Sequence, residues 1–216
     1  MKPIVLLVPG AIIPSWSVEY LGSYLRKQGY ETKRISYPSV RGGADVGIDL
    51  LHKAILTLPP NKPICILAHS LGGLLAYEAL RRFFRVRAMI QPVRLVCIGS
   101  PFGGSAIARK ANTLPWPLHL LVKNTIYILT SGVWYDRDVK AEIGAITGIK
   151  SSGGWNMILR ALPKSIPHDG CISYGETHFE GVKEYIDLNL GHEQMLFNKD
   201  VARLAISFFE TGSFKA

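Results

Sequence analysis

Short apolar runs alternate along the chain with stretches in which apolar positions recur every three to four residues. Ile4 to Val8 is a continuous apolar run stopped by Pro9-Gly10, the pattern of a buried strand. Val18, Leu21 and Leu25 then mark one face of a helix that Gly29 closes. Glu31 to Ser36 reads as a second strand, and Ile48, Leu51 and Ile55 as a second helical face ending before Pro59-Pro60. Ile64 to Ala68 is a third strand that runs directly into a helix from about Leu71 to Phe84; Val93 to Ile98 is a fourth strand. Strands and helices in strict alternation predict an α/β fold, a parallel sheet with helices on both faces and right-handed crossovers between strands.

After Ser100-Pro101 the alternation breaks. The segment from Phe102 to Asp138 is rich in Leu, Trp, Tyr and Pro, with Gly103-Gly104 placed to hinge it. The alternation resumes with short strands near Ile143 to Thr147 and Val182 to Leu188. A last helix follows, with the face Phe197, Val201, Leu204 and Phe208. The pattern therefore predicts six strands and one insertion in a single domain, 1–216, without repeats, low-complexity tracts or linkers.

Composition narrows the class. A chain of 216 residues with 48% hydrophobic residues has ample core for one domain and is neither disordered nor collagen-like. Cys65, Cys97 and Cys171 lie in apolar surroundings, which predicts buried small hydrophobes and argues against a disulfide-stapled secreted module. The apolar run after Lys2 is too short for a signal-peptide core. The stretch Leu114 to Tyr135 is interrupted by Pro115, Pro117, His119, Lys123 and Asn124, a poor membrane span. A soluble cytoplasmic protein is the expectation.

Charge is the unusual quantity: 25 Lys+Arg against 16 Asp+Glu give a formal +9. Residues 1–135 hold 16 bases and 5 acids, and Ala79 to Tyr135 hold eight bases and no acid. Such a surface suits nucleic acid, anionic lipid or an acidic protein, and it also serves solubility alone. No nucleic-acid-binding motif accompanies it.

The segment that carries chemistry is Ile64-Cys65-Ile66-Leu67-Ala68-His69-Ser70-Leu71-Gly72-Gly73. A buried strand runs into a serine flanked two residues away on either side by Ala68 and Gly72, and a helix begins at once. This is the pattern of a nucleophile elbow, whose strained turn needs small neighbours because other backbone passes close by. The turn lifts the hydroxyl above the sheet edge at a helix N-terminus, which favours developing negative charge.

On these residues the chain resembles the α/β-hydrolase superfamily, and within it small bacterial serine esterases and lipases. Val8-Pro9-Gly10 stands at the family's His-Gly position, and Tyr37-Pro38-Ser39-Val40 follows the second strand. Gly99 to Ser105, His168-Asp169-Gly170 and Gly191-His192-Glu193 then fall in family order. The resemblance implies a minimal α/β-hydrolase fold with a six-stranded, mostly parallel sheet in the order 2-1-3-4-5-6. It also implies a lid insertion, 102–138, after strand 4.

A serine hydroxyl needs a base to take its proton, and the base needs a carboxylate to orient it; the family order is Ser, acid, His. The resemblance implies His192 as base, since it follows the last strand and precedes the last helix. His69 adjoins the serine but is expected to point elsewhere; His178 sits in an irregular stretch; His52, His119 and His168 suit surface or lid positions. It implies Asp169 as the acid, with Glu176 and Asp187 as competitors and Glu193 pointing away. The oxyanion hole is expected from the amides of Leu71 and, by family placement, Ala11. Pro9, in place of the family's histidine, lacks an N–H, so the internal hydrogen bonding of this loop must differ.

The insertion's apolar side chains, Trp116, Leu120 and Trp134 among them, are candidates to line an acyl tunnel, or else to pack against the body; Trp16 has the same two readings. Arg81, Arg82, Arg85, Arg87 and Arg94 belong to the far end of the sheet. Arg41, Arg109, Lys110 and Lys123 are the bases placed to flank the mouth and to meet an acidic partner.

Two enzyme readings follow: a general esterase or lipase on free medium-chain esters, or an enzyme resembling the pimeloyl-acyl-carrier-protein methyl ester esterases of biotin-precursor synthesis, whose partner is an acidic acyl carrier protein. Neither implies a metal or cofactor. A non-catalytic binding protein on the same fold is the reading of another class, and the combination of Ser70, Asp169 and His192 speaks against it.

Overall fold

The computed structural model describes residues 2–39, 43–89, 91–113, 118–151 and 156–215. Six parallel strands form one sheet in the order β2-β1-β3-β4-β5-β6: β1 is Ile4–Val8, β2 Glu31–Arg34, β3 Ile64–His69, β4 Val93–Ile98, β5 Glu142–Gly148 and β6 Glu184–Leu188. The predicted strand order is the one observed. Between them lie α1 (Glu19–Lys27), α2 (Gly43–Leu56), α3 (Leu71–Val86), α4 (Ala106–Ala111), α5 (Leu118–Ser131), α6 (Asn156–Leu159) and α7 (Lys199–Thr211).

The period of two along each central strand sorts side chains into two cores. Leu6, Val8, Ile64, Ile66 and Leu95 pack with Ile48, Leu51 and Ile55 of α2 and with Leu74, Leu80 and Phe83 of α3. Val5, Leu7, Cys65, Leu67, Val96 and Ile146 point to the opposite face, against Leu21 and Leu25 of α1 and Val201, Ala205 and Phe208 of α7. All six residues of β3 are buried, as a central parallel strand covered on both faces requires. Cys65, Cys97 and Cys171 are free and buried.

The final helix differs in one respect from its predicted face. Phe197 belongs to a 3-10 turn before α7 and is exposed, while Ala202, Ala205 and Phe209 complete the buried side. The physical reason is Asn198, whose side chain accepts from the amides of Asp200 and Val201 and so starts the helix one residue beyond Phe197.

The segment from Phe102 to Asp138 carries α4 and α5 between β4 and β5. Phe102 is buried, stacks on Phe179 at 4.8 Å and meets Tyr77 of α3 edge-on. Ile128, Leu129 and Val133 pack against the α2–α3 core. Ser105 caps α4 by accepting from the Ala108 amide. The Thr125 hydroxyl donates to the Ser39 carbonyl at 2.7 Å, tying α5 to the loop after β2.

Several arginines of the acid-free stretch pair with acids that flank it or lie on other elements. Arg81 pairs with Glu78, Arg82 with Asp49, and Arg85 lies 3.9 Å from Asp136. Arg94 pairs with Glu142 and donates to the Phe209 carbonyl, fastening β4 to β5 and to the end of α7. These arginines hold structure together at the far end of the sheet.

Phe208 is fully buried, with Phe214 at 4.9 Å and Gly144 of β5 leaving room for its ring. Phe208→Ala is expected to cost about 3–5 kcal/mol of stability in urea denaturation. A loss below about 1 kcal/mol would show that this face of the sheet repacks freely.

Candidate active site

Ser70 follows the end of β3 with φ +53° and ψ −124°, a backbone region that residues with a side chain rarely occupy. Its amide donates to the Ile98 carbonyl of β4 at 2.8 Å, and α3 begins at the next residue. The turn is this sharp because the exit of β1 passes directly across it. A Cβ at Gly72 would lie 2.6 Å from the Val8 carbonyl oxygen and 2.7 Å from that of Pro9, and one at Gly10 would lie 3.0 Å from Ser70 Cβ. The small neighbours expected of an elbow are thus demanded by backbone in close approach.

Asp169 and His192 meet on the β4–β5 side of Ser70. The carboxylate of Asp169 is buried; Oδ1 accepts from the amides of Cys171 (2.8 Å) and Ile172 (2.7 Å), and Oδ2 accepts from His192 Nδ1 at 2.6 Å. The His192 amide also donates to the Asp169 carbonyl at 2.9 Å, so backbone and side chain are clamped together. Gly99, at the end of β4 with φ +56°, leaves this space open: a Cβ there would lie 3.0 Å from both Asp169 Oδ2 and His192 Nδ1.

Burial opposes a charge on His192. The Asp169 carboxylate, through its charge and its hydrogen bond, outweighs that opposition with a weaker pull from Glu193, and raises the imidazole above its ordinary value. The bond to Nδ1 leaves Nε2 as the nitrogen that gains or loses a proton.

His69 does not point away from the site. Its ring packs against that of His192 with centroids 4.5 Å apart, and its Nε2 lies 3.3 Å from the His192 carbonyl oxygen. Burial, together with the neighbouring His192, holds its pKa well below the ordinary value, so it stands behind the second imidazole as a neutral wedge. His168 is likewise no surface residue: it is buried, its Nδ1 accepts from the Gly170 amide at 3.0 Å, and it bridges Ser173 across the turn that presents Asp169. His52 is half-buried on α2. His178 stacks on Tyr185 at 4.8 Å, and the side chain of His119 lies outside the described residues.

The competing acids sit elsewhere. Glu176 accepts from the amides of Ser173 and Ala106 and lies 3.5 Å from Arg109, so it joins the Asp169 loop to the start of α4. Asp187 lies on β6 and is exposed, as is Glu193. Arg109 also donates to the Thr130 carbonyl at 3.2 Å and is thereby a strut within the insertion. Lys110 is exposed at the end of α4. Arg41 and Trp116 lie outside the described residues, as do the side chains of Leu120 and Lys123. Trp16 and Trp134 are 60% and 82% exposed, so neither packs against the body.

The loop carrying Ala11 is held from outside. The buried Tyr37 hydroxyl, its pKa pushed up by burial, donates to the carbonyls of Pro9 (2.8 Å) and Gly10 (3.3 Å). The Ile12 amide donates to Ser39 Oγ, and Ile12 itself has φ +64°. Sequence spacing gives no hint that residue 37 braces residue 9. Beside this loop a cleft of about 320 Å³ opens, lined by Pro9, Gly10 and Ile13 on one side and by Ser36, Tyr37 and Pro38 on the other. Among the described residues no cluster of His, Cys, Asp or Glu suits a metal ion.

No family model matches the sequence, and no curated protein matches it. Solved structures do. The chain is similar to a mature lipase of Bacillus licheniformis, with a TM-score of 0.75 over 97% of this chain and 91% of that one at 16% identity. It is similar to a metagenomic carboxyl esterase at TM-score 0.68 and 16% identity, over 88% of this chain and 64% of that one. The chain has the α/β-hydrolase fold. A mutant of tomato methylketone synthase I also aligns over 100% of both chains, at TM-score 0.62 and 13% identity. An α/β-hydrolase fold therefore accommodates more than one chemistry, and the chemistry here has to be argued from the site.

The His192 pairing has a direct test. In an NMR titration the imidazole is expected to titrate above its ordinary pKa. In Asp169→Asn it should titrate below it, because burial is then opposed only by the weaker pull of Glu193. Glu176→Gln should leave the value in place; a shift in that variant and none in Asp169→Asn would transfer the pairing to Glu176.

Proposed function

We propose that the protein is a serine ester hydrolase in which Ser70 is the nucleophile, His192 the base and Asp169 the acid that orients it. The observation that carries this reading is the 2.6 Å bond from His192 Nδ1 to a buried Asp169, placed beside a serine held at positive φ between β3 and α3. Neither strain nor a buried ion-pairing histidine is cheap to maintain, and their coincidence at the carboxyl ends of the strands is where this fold places chemistry.

These roles imply the following steps. His192 Nε2 takes the proton of Ser70 as the hydroxyl attacks the ester carbonyl. The charge that forms on the carbonyl oxygen is held by the amides of Leu71 and Ala11, the former at the start of a sixteen-residue helix. Asp169 stabilises the imidazolium and keeps its tautomer. His192 then gives its proton to the departing alcohol, and the same nitrogen activates the water that releases the acid.

The finer readings of substrate divide on the insertion. We read 102–138 as a cover over the mouth, anchored at its base by Phe102 and Glu176. A free ester suits the site better than one on an acidic carrier, because the Arg109 guanidinium is already engaged by Glu176 and Thr130. An apolar acyl ester is the substrate class. Among the described residues no helix is long and apolar enough to cross a membrane.

Ser70→Ala is expected to lower turnover of a 4-nitrophenyl ester by a factor on the order of a million, as loss of a triad serine does. The unmodified protein should be labelled at Ser70 by a fluorophosphonate. Substantial residual hydrolysis in the variant, with no labelling of Ser70, would remove the assignment.

A further inference from the structure

The site divides the sheet edge into two sides. On one side of Ser70, across β4 and β5, stand His192 and Asp169, packed against Gly99 and Gly148 at the ends of those strands. On the other side, across β1 and β2, lies the cleft between the Pro9–Ser15 loop and the Ser36–Ser39 loop, which begins at Gly10, itself in contact with Ser70. Base and cleft therefore flank the serine from opposite directions.

That division orients the ester, given the hydrolase reading above, on which this step rests. In the tetrahedral intermediate the former carbonyl carbon bears four groups: Ser70 Oγ, the oxyanion, the leaving oxygen and the acyl chain. The leaving oxygen must face His192 Nε2, because that nitrogen supplies its proton as the bond to carbon breaks. The oxyanion must face the amides of Leu71 and Ala11. The acyl chain is then the substituent directed away from His192, toward β1 and β2. We infer that the cleft lined by Ile13, Ser15, Ser36 and Tyr37 is the acyl pocket, that the alcohol leaves on the His192 side, and that the acyl groups accepted are short to medium in length.

Size and lining set the class. A volume of about 320 Å³ lies at the low end of ligand pockets. A cleft of this size suits an acyl chain of short to medium length. Its floor is held in place: Tyr37 is half-buried, braced on the Pro9 and Gly10 carbonyls, and packed so closely on α2 that a Cβ at Gly47 would lie 3.1 Å from its ring. Deepening the pocket toward α2 would break those bonds. The same brace links pocket and oxyanion loop, so an acyl chain that fills the cleft presses on the loop that must hold the charge.

The test varies one half of the ester at a time. With 4-nitrophenyl esters from acetate to dodecanoate, kcat/KM should rise to about eight carbons and then fall. In Ser36→Phe, where an exposed side chain is enlarged into the cleft, the hexanoate-to-acetate ratio of kcat/KM should drop at least tenfold. The ratio of hexyl acetate to methyl acetate should stay within twofold. Ser15→Phe, from the opposite wall, should give the same pattern, and fluorophosphonate labelling of Ser70 in both variants reports that they are folded. A change in the alcohol ratio instead would assign the cleft to the leaving group, and no change in either ratio in both variants would place it outside substrate binding; each overturns the inference. Absence of both labelling and hydrolysis in the unmodified protein would overturn the hydrolase reading, and the pocket assignment with it.

Discussion

The architecture turns on one close crossing of backbone. The chain leaving β1 at Val8-Pro9 passes within 2.7 Å of where a Cβ would stand on Gly72, the second residue of α3. That approach fixes the start of α3 relative to the sheet, and with it the positive φ of Ser70. It also sets the Ala11 loop over the serine. Any side chain at 72 would push the loop outward and separate the two amides that would hold an oxyanion. The strain at Ser70 is sustained by the rest of the sheet, chiefly by its amide's bond to Ile98 on the neighbouring strand.

Much of this was legible in the sequence because it depends on local period and on small residues at fixed spacing. The runs at 4–8, 64–68 and 93–98 are buried on both faces and read as strands without ambiguity. The elbow is legible because Ala68, Ser70 and Gly72 stand together. Asp169 and His192 could be ordered only by family resemblance, and their hydrogen bond joins residues 23 apart across a β-strand. What could not be read depends on pairs whose spacing carries no pattern. Tyr37 on Pro9, Glu176 on Ala106 and His69 on His192 are all of this kind. Phe197 was misread because an apolar residue at helical spacing says nothing of a cap that starts the helix one residue later.

The formal charge of +9 proves to say little about partners. Arg81 pairs with Glu78 one turn away on α3, while Arg82, Arg85 and Arg94 meet acids from other elements, and Arg94 ties β4 to β5 and α7. Charge counted along a chain measures sequence neighbours, whereas screening and pairing act between neighbours in space. The counter-charges of the stretch come from Glu78 and Asp136 at its two ends and from Asp49 on α2 and Glu142 on β5.

Glu176 joins the loop of Asp169 to the insertion chiefly through main-chain amides, at Ser173 and Ala106, with the Arg109 guanidinium 3.5 Å away. An attachment made to backbone tolerates almost any side chain at the attached positions. The interior of the insertion, between α4 and the end of α5, can therefore drift or be exchanged over generations while the anchorage and the carboxylate behind it stay in register. Such a joint lets a lineage change the insertion without first having to rebuild the turn that carries Asp169.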